Sequence, residues 1–215
     1  IVILVPAAFI VYTVRSMVNM RLIEYLVNTL VIISIVFFSF IGTWGLNYYR
    51  MPFADIARLE VSPASVNELE DLCEALIERA NILRSSVSVD GEGNVDIPGS
   101  TRDILKNCYK GYETIASIYP ELAGSYSDPK PVLLSHFMSY TGICGVYFPF
   151  TGEANVNIAI PESTLPSTAS HEMAHQRGFS REDEANYISY LACSGHPDVN
   201  YKYSGLLLAL TNSMN

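Results

Sequence analysis

The stretch His171-Glu172-Met173-Ala174-His175 places two histidines four residues apart, with a glutamate directly after the first. On a helix, residues four apart lie on one face, so both imidazoles can point at the same ion. This spacing predicts a helix that carries a zinc site with His171 and His175 as ligands. Glu172 is placed to take a proton from a water at the metal, which is the role of a catalytic base.

The third ligand is expected from the acidic run that follows. Gly178 predicts a reversal of the chain, because glycine tolerates a positive φ. Projection of the next helix at about 100° per residue puts Glu182 on a small, polar face and Glu184 on a bulky one. We therefore expect Glu182 to be the ligand, with Glu184 as the alternative. Asn186, one turn beyond Glu182, can accept a hydrogen bond from a ligating histidine and fix its tautomer.

Three protein ligands would leave a fourth zinc position for water, and this arrangement predicts hydrolysis of a carbonyl compound. An oxyanion donor is needed near the metal, and His196 and Tyr203 follow the ligand helix closely enough to be candidates. The extended segment Ala154–Ile158, which includes Asn155, can pair with a peptide substrate as an added strand. The alternative for this segment is an interior strand of a small sheet.

Apolar runs at the N-terminus indicate a membrane protein. The 20 positions from Tyr25 to Trp44 hold no charged residue, which is long enough to cross a bilayer. We expect Ile1–Val14 to be the end of a further, truncated span. Arg15 and Arg21 in the link between the runs favour a cytoplasmic link, which would put the rest of the chain outside the cytoplasm. The predicted division is 1–48 for the membrane-spanning segments and 49–215 for an extracytoplasmic domain.

Charge and cysteine content argue against nucleic-acid binding and against a zinc site built from cysteines. The net charge is −9 and no basic stripe follows the apolar runs, so we expect no nucleic-acid partner. The four cysteines show no C-x-x-C spacing, so a cysteine zinc site is not expected. The expected partners are the lipid bilayer and a peptide or protein substrate.

The pattern after residue 60 predicts an α+β domain, mainly helical with a small β-sheet. Helices are expected to begin at Ser62-Pro63 and at Ser100, and Ser180 is expected to cap the helix of Glu182. Short strands are predicted over Pro131–Ser135, Gly145–Phe150 and Ala154–Ile160.

The metal motif resembles that of zincin metallopeptidases. Glu182 followed by Ala185 and Asn186 is similar to the glutamate-ligand pattern of the gluzincins. That resemblance implies Glu182 as ligand and Asn186 as its partner residue. The chain departs from gluzincins in the short gap between His175 and Glu182, which is more like the metzincin layout, although the third metzincin histidine is absent.

Three longer stretches resemble a bacterial membrane family known as domain of unknown function 3810. They are Trp44–Arg50, Phe148–Asn155 and His171–Asn186. The resemblance implies several membrane spans followed by an extracytoplasmic zincin-like domain, and further residues beyond both ends of this chain. Two functions remain open. One is a membrane-anchored zinc metallopeptidase, and the other is a non-hydrolytic zincin-like protein whose metal holds the fold or a partner.

Overall fold

The structure is a computed structural model that describes residues 10, 11, 13, 14 and 22–214. It divides into two compact units, Ile1–Gly45 and Leu46–Asn215. Most of the expected span Ile1–Val14 lies outside the described residues, as do Arg15 and Arg21.

The described part of the first unit is dominated by helix α1, Leu22–Thr43. Within the described residues, one stretch, Ile23–Tyr49, is helical, long and apolar enough to cross a membrane. The hydroxyls of Ser34 and Thr43 each donate to the carbonyl four residues earlier, at 2.8 Å. These bonds satisfy both hydroxyl groups within the helix itself.

The second unit is mostly helical with one small sheet. A 3₁₀ turn, Gly45–Tyr49, precedes its helices. The helices are α2 (Phe53–Ile56), α3 (Val66–Arg84), α4 (Thr101–Asn107), α5 (Tyr109–Ala116), α6 (Ser135–Ser139), α7 (Leu165–Gln176), α8 (Glu182–Gly195) and α9 (Val199–Ser213). The strands are β1 (Lys130–Pro131), β2 (Gly145–Phe148) and β3 (Glu153–Val156). This architecture agrees with the expected α+β class.

The sheet has the order β1-β3-β2, with β1 parallel and β2 antiparallel to β3. The segment around Asn155 therefore lies in the central strand. The sheet supports the hypothesis of an interior strand for this segment, rather than that of an edge that pairs with a substrate. Strand β2 forms an edge. The carbonyl of Cys144 accepts from the Asn157 N–H at 2.8 Å, so these two residues form a hydrogen-bonded pair. Hydrogen-bonded and non-hydrogen-bonded pairs alternate along an antiparallel ladder, so Gly145 and Tyr147 fall in non-hydrogen-bonded pairs. Their backbone groups therefore point away from β3.

Helices α7 and α8 lie in the centre of the hydrophobic core. Ala169, Ala174, Ala185 and Ile188 on these helices are fully buried. Helix α5 approaches α8 so closely that a Cβ at Gly111 would lie 2.2 Å from the Ala192 carbonyl oxygen. The small residues of this core let the two motif-bearing helices pack tightly, which fixes their relative position.

Several predicted boundaries differ from the structure. The helix expected at Ser62-Pro63 begins at Val66, because Ser65 and Glu68 form a reciprocal capping box. The capping box predicted at Ser100 is present. Ser180 was expected to cap α8, but Arg181 holds that position without a side-chain cap.

The predicted strand Pro131–Ser135 is wrong, since β1 ends at Pro131 and a short helix starts at Ser135. The hydroxyl of Ser135 accepts from the Ile158 N–H at 2.9 Å. This contact joins α6 to the chain after β3.

Candidate metal centre

His171, His175 and Glu182 converge on one point between α7 and α8. The Nε2 atom of His171 lies 3.1 Å from Glu182 Oε2, and Nε2 of His175 lies 3.6 Å from Oε1. The candidate ligand atoms of the three residues lie within 4.8 Å of one another. The imidazoles are largely buried, whereas the Glu182 side chain is 74% exposed. The cluster is therefore reached by solvent from the α8 side.

Each imidazole is oriented by a hydrogen bond at its other nitrogen. His171 Nδ1 donates to Asn186 Oδ1 at 2.9 Å, and His175 Nδ1 donates to the Phe179 carbonyl at 2.7 Å. Asn212 Oδ1 in turn accepts from Asn186 Nδ2 at 3.4 Å, which turns the Asn186 oxygen toward His171. Both rings thus keep a hydrogen on Nδ1, which leaves Nε2 as the atom that faces Glu182 and that can bind a metal when the ring is neutral.

The turn between α7 and α8 brings the acid back over the histidines. Gly178 has a φ of 82°, which the reversal requires and other residues adopt only with strain. Arg50 donates to the Arg177 carbonyl, and its guanidinium carbon lies 4.1 Å from the centre of the Phe179 ring. The residues that follow the apolar helix are thereby held against this turn.

The donor set fits a zinc ion. Zinc bonds of about 2.0–2.1 Å to nitrogen and oxygen imply ligand atoms about 3.3 Å apart in a tetrahedron. The two histidine–glutamate distances are close to that value, at 3.1 Å to Oε2 and 3.6 Å to Oε1 of the Glu182 carboxylate. Two imidazoles and one carboxylate favour zinc over magnesium or calcium, which prefer oxygen ligands.

Glu172 lies beside the cluster in a confined space. It is only 5% exposed, and burial raises its pKa from 4.5 to about 7. The Tyr147 backbone N–H donates to the carboxylate, whereas Oε2 has no hydrogen-bond partner among the described residues. A Cβ on Gly145 would lie 2.4 Å from Glu172 Oε1, so only glycine lets the edge strand pass this close.

The acid–base balance of the cluster follows from its contacts. Burial by itself lowers the pKa of His171, but the hydrogen bond to Glu182 and the charges of Glu172 and Glu182 outweigh it and raise the pKa. Burial and the neighbouring His171 lower the pKa of His175. The hydrogen bond from His171 lowers the pKa of Glu182. An ionised Glu182 and a neutral His175 are the forms that bind a metal.

Comparison with known families gives one match. The family described as "Protein of unknown function (DUF3810)" matches residues 1–215. The chain belongs to this family. Neither the curated proteins nor the solved structures contain a match to the chain. The three stretches that carry the resemblance to DUF3810 include the metal cluster, the Asn186 contact, the Arg50 contact and part of β2 and β3.

Two predicted site residues of this DUF3810 member lie outside the cluster. Glu184 Oε1 accepts from the Phe53 N–H at 2.8 Å and from Arg181 at 3.4 Å, so this acid holds the start of α2. Asn155 Nδ2 donates to the carbonyls of Val146 and Glu153, at 3.3 and 3.0 Å. Both side chains are engaged in holding the fold.

The predicted oxyanion candidates are also engaged elsewhere. His196 stacks on Tyr201 with ring centres 3.7 Å apart, and its nitrogens contact the Asn107 carbonyl and the Asp198 N–H. Tyr203 packs against the small cluster of Leu76, Ala80 and Leu206. The structure does not bring either residue to the metal cluster.

Sequence reasoning missed four contributors to this site. They are the backbone of Gly145 and Tyr147, the Phe179 carbonyl and the Asn212 side chain. The first three act through the backbone or through the lack of a side chain, which no residue type signals in advance. Asn212 lies 26 positions from Asn186, on another helix, and only the packing of α9 on α8 brings the two amides together.

Proposed function

We propose that the unit Leu46–Asn215 is a zinc-dependent metallopeptidase. The observation that carries the proposal is the convergence of His171, His175 and Glu182 beside the buried Glu172 carboxylate. Two neutral imidazoles and one carboxylate would bind zinc and leave one position open to solvent. On this proposal the domain is zincin-like, with its ligands on two helices joined by the Gly178 turn.

A bound zinc ion would supply Lewis acidity, which lowers the pKa of a water and polarises a substrate carbonyl. Glu172 takes the proton from the attacking water, because burial raises the pKa of its carboxyl group and so makes it a stronger base than an ordinary glutamate. It then delivers that proton to the leaving amine. Asn186 and the Phe179 carbonyl keep the two histidines in the ligating tautomer throughout.

The edge strand supports a peptide as the substrate. The backbone groups of Gly145 point outward from β2, and this edge passes directly beside Glu172. An extended peptide that pairs with β2 would bring a carbonyl group toward the carboxylate. Main-chain pairing recognises any extended polypeptide, and side-chain preferences would come from the surrounding surface.

We further propose that α1 anchors this activity in a membrane. The stretch Ile23–Tyr49 is long and apolar enough to cross a bilayer. The arginines at 15 and 21 favour a cytoplasmic position for the preceding link, which puts the metal centre outside the cytoplasm. Labelling of the exposed Cys144 in intact cells by an impermeant maleimide tests this topology. Labelling only after cell lysis would reverse the proposed side.

The direct test of the activity is Glu172→Gln in the full chain, purified in detergent. We expect the variant to retain one zinc per chain, because Glu172 is not a ligand, and to lose hydrolysis of a broad peptide library by roughly 10²–10⁴-fold. Metal content is measured by elemental analysis and hydrolysis by mass spectrometry.

Two matched variants of the acidic run complete the test. Glu182→Ala should lose both zinc and hydrolysis, whereas Asp183→Ala, an exposed neighbour on the same helix, should lose neither. Zinc that stays bound without hydrolysis of any library member by the native chain would favour the non-hydrolytic function. Zinc retained in Glu182→Ala but lost in Glu184→Ala would reverse the ligand assignment.

A further inference from the structure

Arg177 is buried on the side of α7 away from the metal cluster. It is 6% exposed. Its guanidinium carbon lies 3.7 Å from the centre of the Tyr112 ring and 4.4 Å from that of Tyr126. Nε donates to the Leu122 carbonyl at 2.8 Å and Nη1 donates to the Met173 carbonyl at 2.9 Å. The side chain is thus held rigidly in one orientation.

These contacts leave part of the guanidinium unused. Arginine has five N–H donors, and two of them are engaged here. Among the described residues, no carboxylate forms an ion pair with Arg177, and Nη2 has no hydrogen-bond partner. Burial lowers the pKa of Arg177, which reflects the cost of keeping the cation away from water. Buried charges are normally paired, so the unused edge calls for an anionic partner.

A cavity of about 360 Å³ opens beside this guanidinium, between α5 and the chain that follows Leu122. This is within the usual range for small-molecule sites. Its lining includes Arg177, the rings of Tyr109, Tyr112 and Tyr126, and the exposed acids Glu113 and Asp128.

The shape of the cavity restricts the ligand. Two tyrosine rings lie close to the guanidinium carbon, and the unused N–H edge is the part of the group left for an anion. A planar fork of donors suits a flat carboxylate. Glu113 and Asp128 repel an anion with several charges and attract an ammonium group. Aromatic rings also stabilise an ammonium group.

We propose that this cleft binds a small zwitterion of the α-amino-acid type, with its carboxylate on Arg177 and its ammonium group toward Glu113 and Asp128. The site is separate from the metal centre and does not depend on the proposed peptidase activity. Met173, which lines the cleft, projects from the face of α7 opposite to His171 and His175.

The test is isothermal titration of the full chain in detergent micelles with L-leucine, N-acetyl-L-leucine, L-leucinamide and inorganic phosphate. We expect L-leucine to bind. The acetylated compound lacks the ammonium group and the amide lacks the carboxylate, so each should bind about tenfold or more weakly. Phosphate should not compete. Absence of L-leucine binding, equal binding of N-acetyl-L-leucine, or tighter binding of phosphate would each overturn the proposal.

Variants at exposed positions avoid the risk of unfolding. Glu113→Gln combined with Asp128→Asn should weaken L-leucine about tenfold while leaving N-acetyl-L-leucine unchanged, because only the ammonium contact is removed. Glu121→Gln, an exposed acid outside the cleft, is the control and should change neither. Arg177→Lys, which keeps the charge but loses the planar fork, should abolish L-leucine binding. Unaltered affinity in the double variant would overturn the assignment of the ammonium group to Glu113 and Asp128, and unaltered affinity in Arg177→Lys would show that Arg177 serves only to hold the loop on α7.

Discussion

The two histidines of the candidate metal centre are held by different kinds of acceptor. His175 relies on the backbone carbonyl of Phe179, which no substitution removes directly, whereas His171 relies on the side chain of Asn186. We expect Asn186→Ala to weaken zinc binding about 10–100-fold, because His171 loses the partner that fixes its tautomer. Competition with a chelator measures this affinity. Asp183→Ala on the same helix is the control, and an equal loss in both variants would argue against a specific role for Asn186.

His196 provides a pH-dependent contribution to stability outside the metal cluster. Its Nδ1 accepts from the Asp198 N–H and its Nε2 donates to the Asn107 carbonyl, so the folded protein holds it neutral. Burial lowers its pKa. Because the pKa of His196 is lower in the folded than in the unfolded state, the neutral ring stabilises the fold at pH values above its unfolded-state pKa of about 6.5. This stabilisation is lost as the pH falls through the folded-state pKa.

We therefore expect the native chain to lose more thermal stability between pH 7.5 and pH 5 than His196→Gln does. Glutamine retains the donor to Asn107 and does not titrate. Melting curves of both proteins at each pH, with zinc present throughout, measure the difference. Parallel losses would show that His196 does not contribute to the acid sensitivity.

Among the secondary-structure elements, the contact between β2 and α7 links the sheet to Glu172, the proposed catalytic base. Gly145→Ala would place a Cβ 2.4 Å from Glu172 Oε1, with the rest of the side chain also in close contact. We expect the Glu172 carboxylate to be displaced, with kcat reduced roughly 10²-fold while the zinc content stays the same. Gly142→Ala is unsuitable as a control because its φ of 71° strains alanine.

Val146→Ala, on the exposed side of the same strand, is the better control and should retain activity. A Gly145→Ala enzyme with full activity would show that the strand does not constrain the base.

The same elements show which local features can be predicted from sequence. The helix of His171 and His175 follows from a four-residue spacing, and the choice of Glu182 over Glu184 follows from the faces of one helix. Both are local properties of α7 and α8. The wrong strand at Pro131–Ser135 arose because an apolar, uncharged run has no periodicity that separates a strand from a short helix.

In the second unit, the predicted site residues lie close together in sequence, whereas the contributors that were not predicted come from distant parts of the chain. The three proposed ligands lie within twelve residues of one another, from His171 to Glu182, so helix geometry and one turn bring them together. The supporting contacts come from distant parts of the chain, such as Gly145 on β2 and Asn212 on α9. Such contacts depend on how helices and sheet pack, which residue patterns do not specify. His196 and Tyr203 were candidates because they follow α8 closely, yet both side chains pack elsewhere.

The most direct measurement is zinc K-edge X-ray absorption on the full chain loaded with one zinc equivalent in detergent. We predict two imidazole nitrogens, one carboxylate oxygen and one non-protein oxygen, all at about 2.0–2.1 Å. Glu182→Ala should lose the carboxylate contribution or the metal. A sulfur shell at about 2.3 Å, a third imidazole, or a chain that binds no zinc would contradict the assignment of His171, His175 and Glu182 as an open metal site.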